Sequence, residues 1–368
     1  MDKKREYGLD LLRIVSMFMV VILHSLNHGG LVEGALVPGT LNFYVCNIVY
    51  ALCFVAVNCF VMISGYFLCT AKFSFKKIIL LWFEAVFYSV LGFLVSVAST
   101  DMMFSVTELI KSFMVFTLKR YWFFTAYVLL YVSIPFLNAA IKQLNKTTHL
   151  MIVSSSLLIF SFLHNVVFIS DFGGVAGGYS FLWFCILYLL AAYMRFYVPT
   201  KIKIQKLMLP MYFIGCLIVA GERFLAYIIT PMIFKRVVLD SLFFSYNSIF
   251  CVFGSMCIFQ YFRGIEIKVC RIQKAINFVA PLTFAVYLIH DQKNIREMIW
   301  NCFGLYNYAE SSFLILYIIV ISILIFSVCC LIEKIRKSIT KRIQVAKYVS
   351  LSCDKIQNWV YSKFQEIH

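Results

Sequence analysis

Residues 8–25 read GLDLLRIVSMFMVVILHS. The stretch is greasy enough to cross a bilayer, which takes roughly 20 predominantly apolar residues in a helix. Yet it carries Asp10, Arg13 and His24. Ionisable groups inside such a helix are expensive unless paired or hydrated, so they mark candidate functional positions. Asp10 and Arg13 are spaced i,i+3 and can pair on one helix face. Arg13 and His24 lie about three turns apart, on the same face, with an axial separation of about 16 Å. One face of one helix thus presents a cation near one end and an imidazole toward the other.

The rest of the chain has the same character. Of 368 residues, 62% are hydrophobic and 14% charged, whereas a soluble domain is about one quarter charged. A soluble protein this apolar would expose large sticky patches. The expected fold is therefore all-α, a polytopic membrane protein of about ten transmembrane helices. The spans are read at 9–27, 44–68, 78–98, 122–140, 150–168, 178–197, 207–229, 240–261, 276–291 and 312–332. Residues 104–118 read as a short amphipathic or re-entrant helix before the fourth span.

The charges fit that topology. The chain has 33 Lys and Arg against 17 Asp and Glu. With both termini cytoplasmic, 24 of the cations fall in cytoplasmic segments and 7 in outer loops, leaving Arg13 and Arg223 inside spans. This is the asymmetry of the positive-inside rule. The basic excess then answers to anionic lipid headgroups rather than to nucleic acid, and no nucleic-acid partner is expected. The chain divides into a transmembrane domain, 1–332, and a basic cytoplasmic tail, 333–368, lying on the membrane surface. The N-terminal run shows no small-residue cleavage site, so the first helix is expected to stay. The 13 cysteines sit mostly in apolar runs and show no metal-ligand spacing, so neither zinc nor disulfides are expected.

Other ionisable groups inside spans are Glu84, Glu222, Arg223, His290 and Asp291. Glu222 and Arg223 are sequence neighbours and do not share a face, so each should pair with another helix, with Glu84 as a candidate partner. Tyr121 and Trp122 stand at a helix mouth, where aromatic rings can meet a sugar. A plain structural role stands beside each functional one. An Asp–Arg pair at a helix end is often only interfacial, and a lone imidazole on an apolar face often just packs. The functional reading of the first span is a reaction crossing the bilayer. The cation holds an anionic donor, and the imidazole, whose pKa lies near working pH, takes a proton from a hydroxyl on the far side.

Four blocks make the chain resemble the acyltransferase 3 family of bacterial inner-membrane acyltransferases. They are GLDLLRIVSMFMVVILHS with its Arg-x10-His spacing, NCFVMISGYFL, YWFFTAYVLLYVSIPFLN at 121–138, and PLTFAVYLIHD. They follow the family's order and span nearly the whole chain. The resemblance implies that His24 is the catalytic group, as a general base or briefly as an acyl carrier, with Asp10 beside it in the site. It implies that Arg13 helps hold acyl-coenzyme A, acetyl-CoA by default, as cosubstrate. The basic segment Lys72, Lys76 and Lys77 would meet the donor's phosphates, although lysine lacks the bidentate fork of the arginines common there. The acceptor would be a cell-surface or lipid-linked glycan, the location the bacterial inner membrane, and a separate extracytoplasmic protein a possible partner. The different class to set against this is a multi-pass transporter or flippase for a lipid-linked glycan, which would also carry intramembrane charges.

Overall fold

The computed structural model describes residues 5–100, 102–167 and 172–353. Residues 354–368 of the expected tail lie outside the described residues. Among those described, the chain is helical and forms no strand. Eight helices are long and apolar enough to cross a membrane. They are α1 (Tyr7–Asn27), α2 (Leu41–Leu68), α3 (Phe75–Ser99), α5 (Trp122–Gln143), α6 (Lys146–Asn165), α8 (Gln205–Phe234), α10 (Cys270–His290) and α12 (Leu314–Arg342). Two of the ten expected spans are shorter, α7 (Phe181–Tyr197) and α9 (Ile249–Arg263).

The eighth span differs most, because residues 240–248 are not helical. Their polar side chains bind backbone instead of leaving it to a helix, as Ser, Asn and Asp tend to do. Asn247 Nδ2 donates to Phe160 O at 2.7 Å, and Ile249 N donates to Asn165 Oδ1. Tyr246 O accepts from the buried Asn58 Nδ2 at 2.7 Å. Non-helical backbone at this depth survives because it is packed in protein and its carbonyls at Asp240, Leu242 and Tyr246 accept hydrogen bonds. The stretch 104–118 does hold a short helix, α4 (Val106–Phe113), capped by Ser105 Oγ accepting from Glu108 N.

Burial ranks the helices. The most apolar window of α2 is 78% buried inside the protein and that of α6 only 17%, so α2 is a core element and α6 faces lipid. Helix α1 packs against α2, α9, α10 and α12, which puts its polar face inside the bundle. Close approach explains Gly8: a Cβ there would meet Phe262 O of α9 at 2.1 Å. Small residues at such crossings let backbones touch where no hydrophobic effect drives the helices together.

The last helix runs past residue 332 to Arg342, and Glu333 and Arg336 are buried. Arg336 bonds both carboxylate oxygens of Glu333 at 2.7 Å, Tyr88 Oη donates to Glu333 at 2.6 Å, and Glu84 sits 3.4 Å from Arg336. The start of the expected tail is therefore part of the bundle. Glu84 pairs here, not with Glu222 or Arg223.

Candidate active site

Helix α1 carries two separate polar groups. At its start, Asp10 receives Arg5 Nε at 2.6 Å and Arg13 Nη1 at 3.3 Å. Arg195 approaches Glu6 at 3.7 Å, and Arg263 donates to Val198 O at 2.9 Å. A cavity of about 540 Å³ opens at this end, lined by Arg5, Glu6, Arg263 and Lys268 among others. Lys72, Lys76 and Lys77 do not line it; they lie at the start of α3 on exposed or half-buried positions.

At the other end, His24 Nδ1 lies 2.8 Å from His290 Nε2. The second nitrogen of His290, Nδ1, contacts Val286 O, one helical turn back. A carbonyl only accepts, so His290 Nδ1 carries the proton and donates. In the neutral ring, His290 Nε2 is then an acceptor, and His24 Nδ1 must be the donor. That leaves His24 Nε2 as a lone pair. Orientation of one ring nitrogen by a bond at the other is how proteins fix the reactive tautomer.

Asp291 completes the cluster. Its Oδ1 lies 3.9 Å from His24 Nδ1, 3.4 Å from His28 Nε2 and 3.4 Å from Arg296 Nη1. Burial alone would raise the Asp291 carboxyl, but the imidazoles of His24 and His28 outweigh it and hold the group well below the usual carboxylate range. An anionic Asp291 would stabilise an imidazolium were one to form at His24, the service a carboxylate gives in hydrolytic triads. His24, His28 and Asp291 also bring three potential ligand atoms within 4.8 Å of one another, the one such set among the described residues. A cation there would compete with His290 for His24 Nδ1.

His24 lines a narrow, largely aromatic cavity of about 30 Å³, with Trp122, Phe123, Tyr246 and Tyr287 on its walls. Room for a water or two suits a slot that must widen around a substrate. Trp122 rests on Tyr179 and Tyr246 with centroids at 4.6 and 6.0 Å. Tyr121 is buried and donates to Leu288 O at 3.0 Å, so it braces α10 and offers no sugar platform. His24 faces α5 through Trp122 and Phe123, which share its cavity. Arg13, with its side chain 30% exposed, meets Asp10 one turn back on α1.

The sequence-based site divides accordingly. His24 and His290 come together, and Trp122 borders their cavity. Asp10 does not join them: 14 residues of helix put it about 21 Å from His24, and the carboxylate beside His24 is Asp291. Arg223 binds Asn47 Oδ1 at 2.8 Å and Asp240 O at 2.7 Å, and Glu222 accepts weakly from Phe243 N. Those two fasten the 240–248 loop, away from the histidines. Sequence reasoning missed His28 and gave Asp291, named only as an ionisable group at the end of its span, no role. The signal for His28 was present, since His24 and His28 are spaced i,i+4 on one face.

A family model described as an acyltransferase domain (Acyl_transf_3) matches residues 6–334. The chain belongs to this family, as its four sequence blocks led us to expect. It is a multi-pass membrane protein and an acyltransferase. Neither a curated relative nor a solved structure matches the chain.

Proposed function

We propose that the protein moves an acyl group, acetyl by default, from cytoplasmic acyl-coenzyme A to a hydroxyl of a cell-surface or lipid-linked glycan, in the bacterial inner membrane. The observation that carries this reading is the 2.8 Å bond between His24 and His290, with His290 anchored on its own helix. It makes His24 Nε2 a base on a ring that borders the interhelical cavity.

In the proposed step, His24 Nε2 takes the acceptor's hydroxyl proton. The oxygen attacks the thioester carbonyl, the carbon–sulfur bond breaks, and coenzyme A leaves as a thiolate that recovers the proton from His24. One ester is formed and one thioester lost. Asp291 steadies the transient imidazolium. Arg13, with the basic residues around the Asp10 end, meets the donor's phosphates, since these cations lie where the positive-inside rule sets the cytoplasm. The 7 outer-loop cations of that topology include Lys111, Lys119, Arg120, Lys293 and Arg296, which cluster at the histidine end. Donor and acceptor would therefore reach the site from opposite faces.

The test uses purified protein with labelled acetyl-CoA and the host's surface glycan. Wild type should release coenzyme A and label the glycan, and His24→Ala should do neither while inserting at normal abundance. Glycan acylation by the His24→Ala protein at the wild-type rate would overturn the base assignment. A transporter would leave acetyl-CoA intact throughout.

A further inference from the structure

Arg120 is a buried cation with most of its donors idle. Its side chain is 6% exposed, and the nearest carboxylate oxygen, Glu108 Oε2, is 3.7 Å away. Its Nε and Nη2 have no hydrogen-bond partner. Buried guanidinium N–H groups left unmet carry the full desolvation penalty, so a site that keeps them idle is built for something that arrives.

Arg120 lines a cavity of about 300 Å³, at the small end of the range for ligand pockets, together with Lys111, Lys119, Lys293 and Arg296. These five cations face two carboxylates, Glu108 and Asp291. Both carboxylates are engaged: Lys111 Nζ is 2.7 Å from Glu108 Oε1, while Arg296 and His28 share Asp291 Oδ1. The backbone favours presentation as well. Lys119 takes φ 48°, a left-handed conformation unusual for lysine, in a turn where Arg120 N donates to Val115 O at 3.1 Å. Such strain gathers where geometry serves a ligand.

We propose that this basic bowl binds the anionic group, phosphate or carboxylate, of an acidic glycan acceptor. The assignment to the acceptor rests on the proposed transfer reaction. The bowl and the histidine cluster share Asp291, whose Oδ1 is 3.9 Å from His24 Nδ1. An anion held on Arg120 therefore delivers the rest of the acceptor next to the base. The donor's cations lie at the opposite end of α1.

The test is binding, which needs no acyl chemistry. Full-length protein in zwitterionic phosphatidylcholine nanodiscs is titrated with pyrophosphate and with glucuronate, followed by thermal shift. Wild type should bind at least one of them, more weakly as salt rises. Arg120→Gln should weaken that binding at least tenfold, and Lys293→Gln should weaken it in a protein that retains Arg120, should the first variant fold poorly. No shift for either probe in wild type, or undiminished affinity in both variants, overturns the proposal. So does displacement of the probe by anionic lipid in the nanodisc, which would make the bowl a headgroup site, or by coenzyme A, which would make it a donor site. A protein that binds pyrophosphate through Arg120 yet never cleaves acetyl-CoA refutes the transferase reading and leaves the anion site standing; an active transferase that ignores both probes does the reverse.

Discussion

His24 and His290 stand 266 residues apart in the chain and 2.8 Å apart in space. Every consequence of the site for catalysis runs through that contact, because it fixes which nitrogen of His24 is free. Replacing His24 with Ala should lower kcat by about 10²–10⁴-fold, the usual contribution of a general base. His290→Ala should also lower kcat while leaving the KM for acyl-CoA unchanged, since only the tautomer and orientation of His24 are lost. Steady-state kinetics on matched amounts of inserted protein decide the matter. An unaltered kcat in His290→Ala would remove the relay from the mechanism.

Asp291 should contribute to stability in a pH-dependent way. Its folded-state pKa is depressed, so its contribution is full above the unfolded value, about 3.9. The contribution fades as pH falls below that value toward the folded one. Asp291→Asn should therefore melt below wild type at pH 6–8, with the gap closing only in strong acid. Equal melting temperatures at pH 7 would show that the carboxylate is not held by His28 and Arg296.

The Glu333–Arg336 pair supports the bundle and lies outside the histidine cluster. Glu333 is fully buried, so Glu333→Ala leaves Arg336 only its longer contact to Glu84 and should cost about 3 kcal/mol. The double variant Glu333→Leu, Arg336→Met removes the pair together and should recover part of that loss, the remainder being Glu84 left without its cation. Thermal denaturation in detergent measures both. A double variant as unstable as the single one would mean that the charges do more than balance each other.

Gly92 allows Gln292 its position. A Cβ at Gly92 would fall 2.4 Å from Gln292 Cδ. Gln292 Oε1 caps the next helix, α11 (Lys293–Phe303), by accepting from Asn294 N and Ile295 N at 2.7 and 2.9 Å, and it directly follows Asp291. Gly92→Leu should displace this cap, shift Asp291 and Arg296, and reduce acyl transfer at least tenfold with insertion preserved. Normal activity would show that the cap can move without carrying Asp291 with it.

Arg13 should act on donor affinity. Arg13→Ala is expected to raise the KM for acyl-CoA more than it lowers kcat, and Asp10→Asn to have a milder effect of the same kind, since Asp10 holds Arg5 and Arg13 far from His24. A fall in kcat alone for Asp10→Asn would put that carboxylate back in the chemistry.

Much of this was legible because membrane helices advertise themselves by length and hydropathy. The shared face of Arg13 and His24 follows from helical periodicity alone. What the sequence withheld is long-range convergence. Nothing in the spacing of Glu84 points to Arg336, 252 positions away. The wall of the histidine cavity draws on four helices and on Tyr246 from a loop, and no periodicity predicts that. The loop at 240–248 read as helix because its apolar content outweighed Asn247 and Ser248 in a hydropathy scan, although the Asn247 amide ties the loop to Phe160 O. Arg120 looked like an ordinary loop cation; only its burial sets it apart.

The histidine pair ends on Val286 O, and an amide oxygen is far too weak a base to keep a proton. The pair is a brace and not a wire. In the transfer proposed here, whatever hydrogen His24 lifts from the alcohol has no inward exit, so it must go out with the departing sulfur. Each turnover would then close its own proton account without help from the membrane potential, and the enzyme should run as well in leaky membranes as in sealed ones.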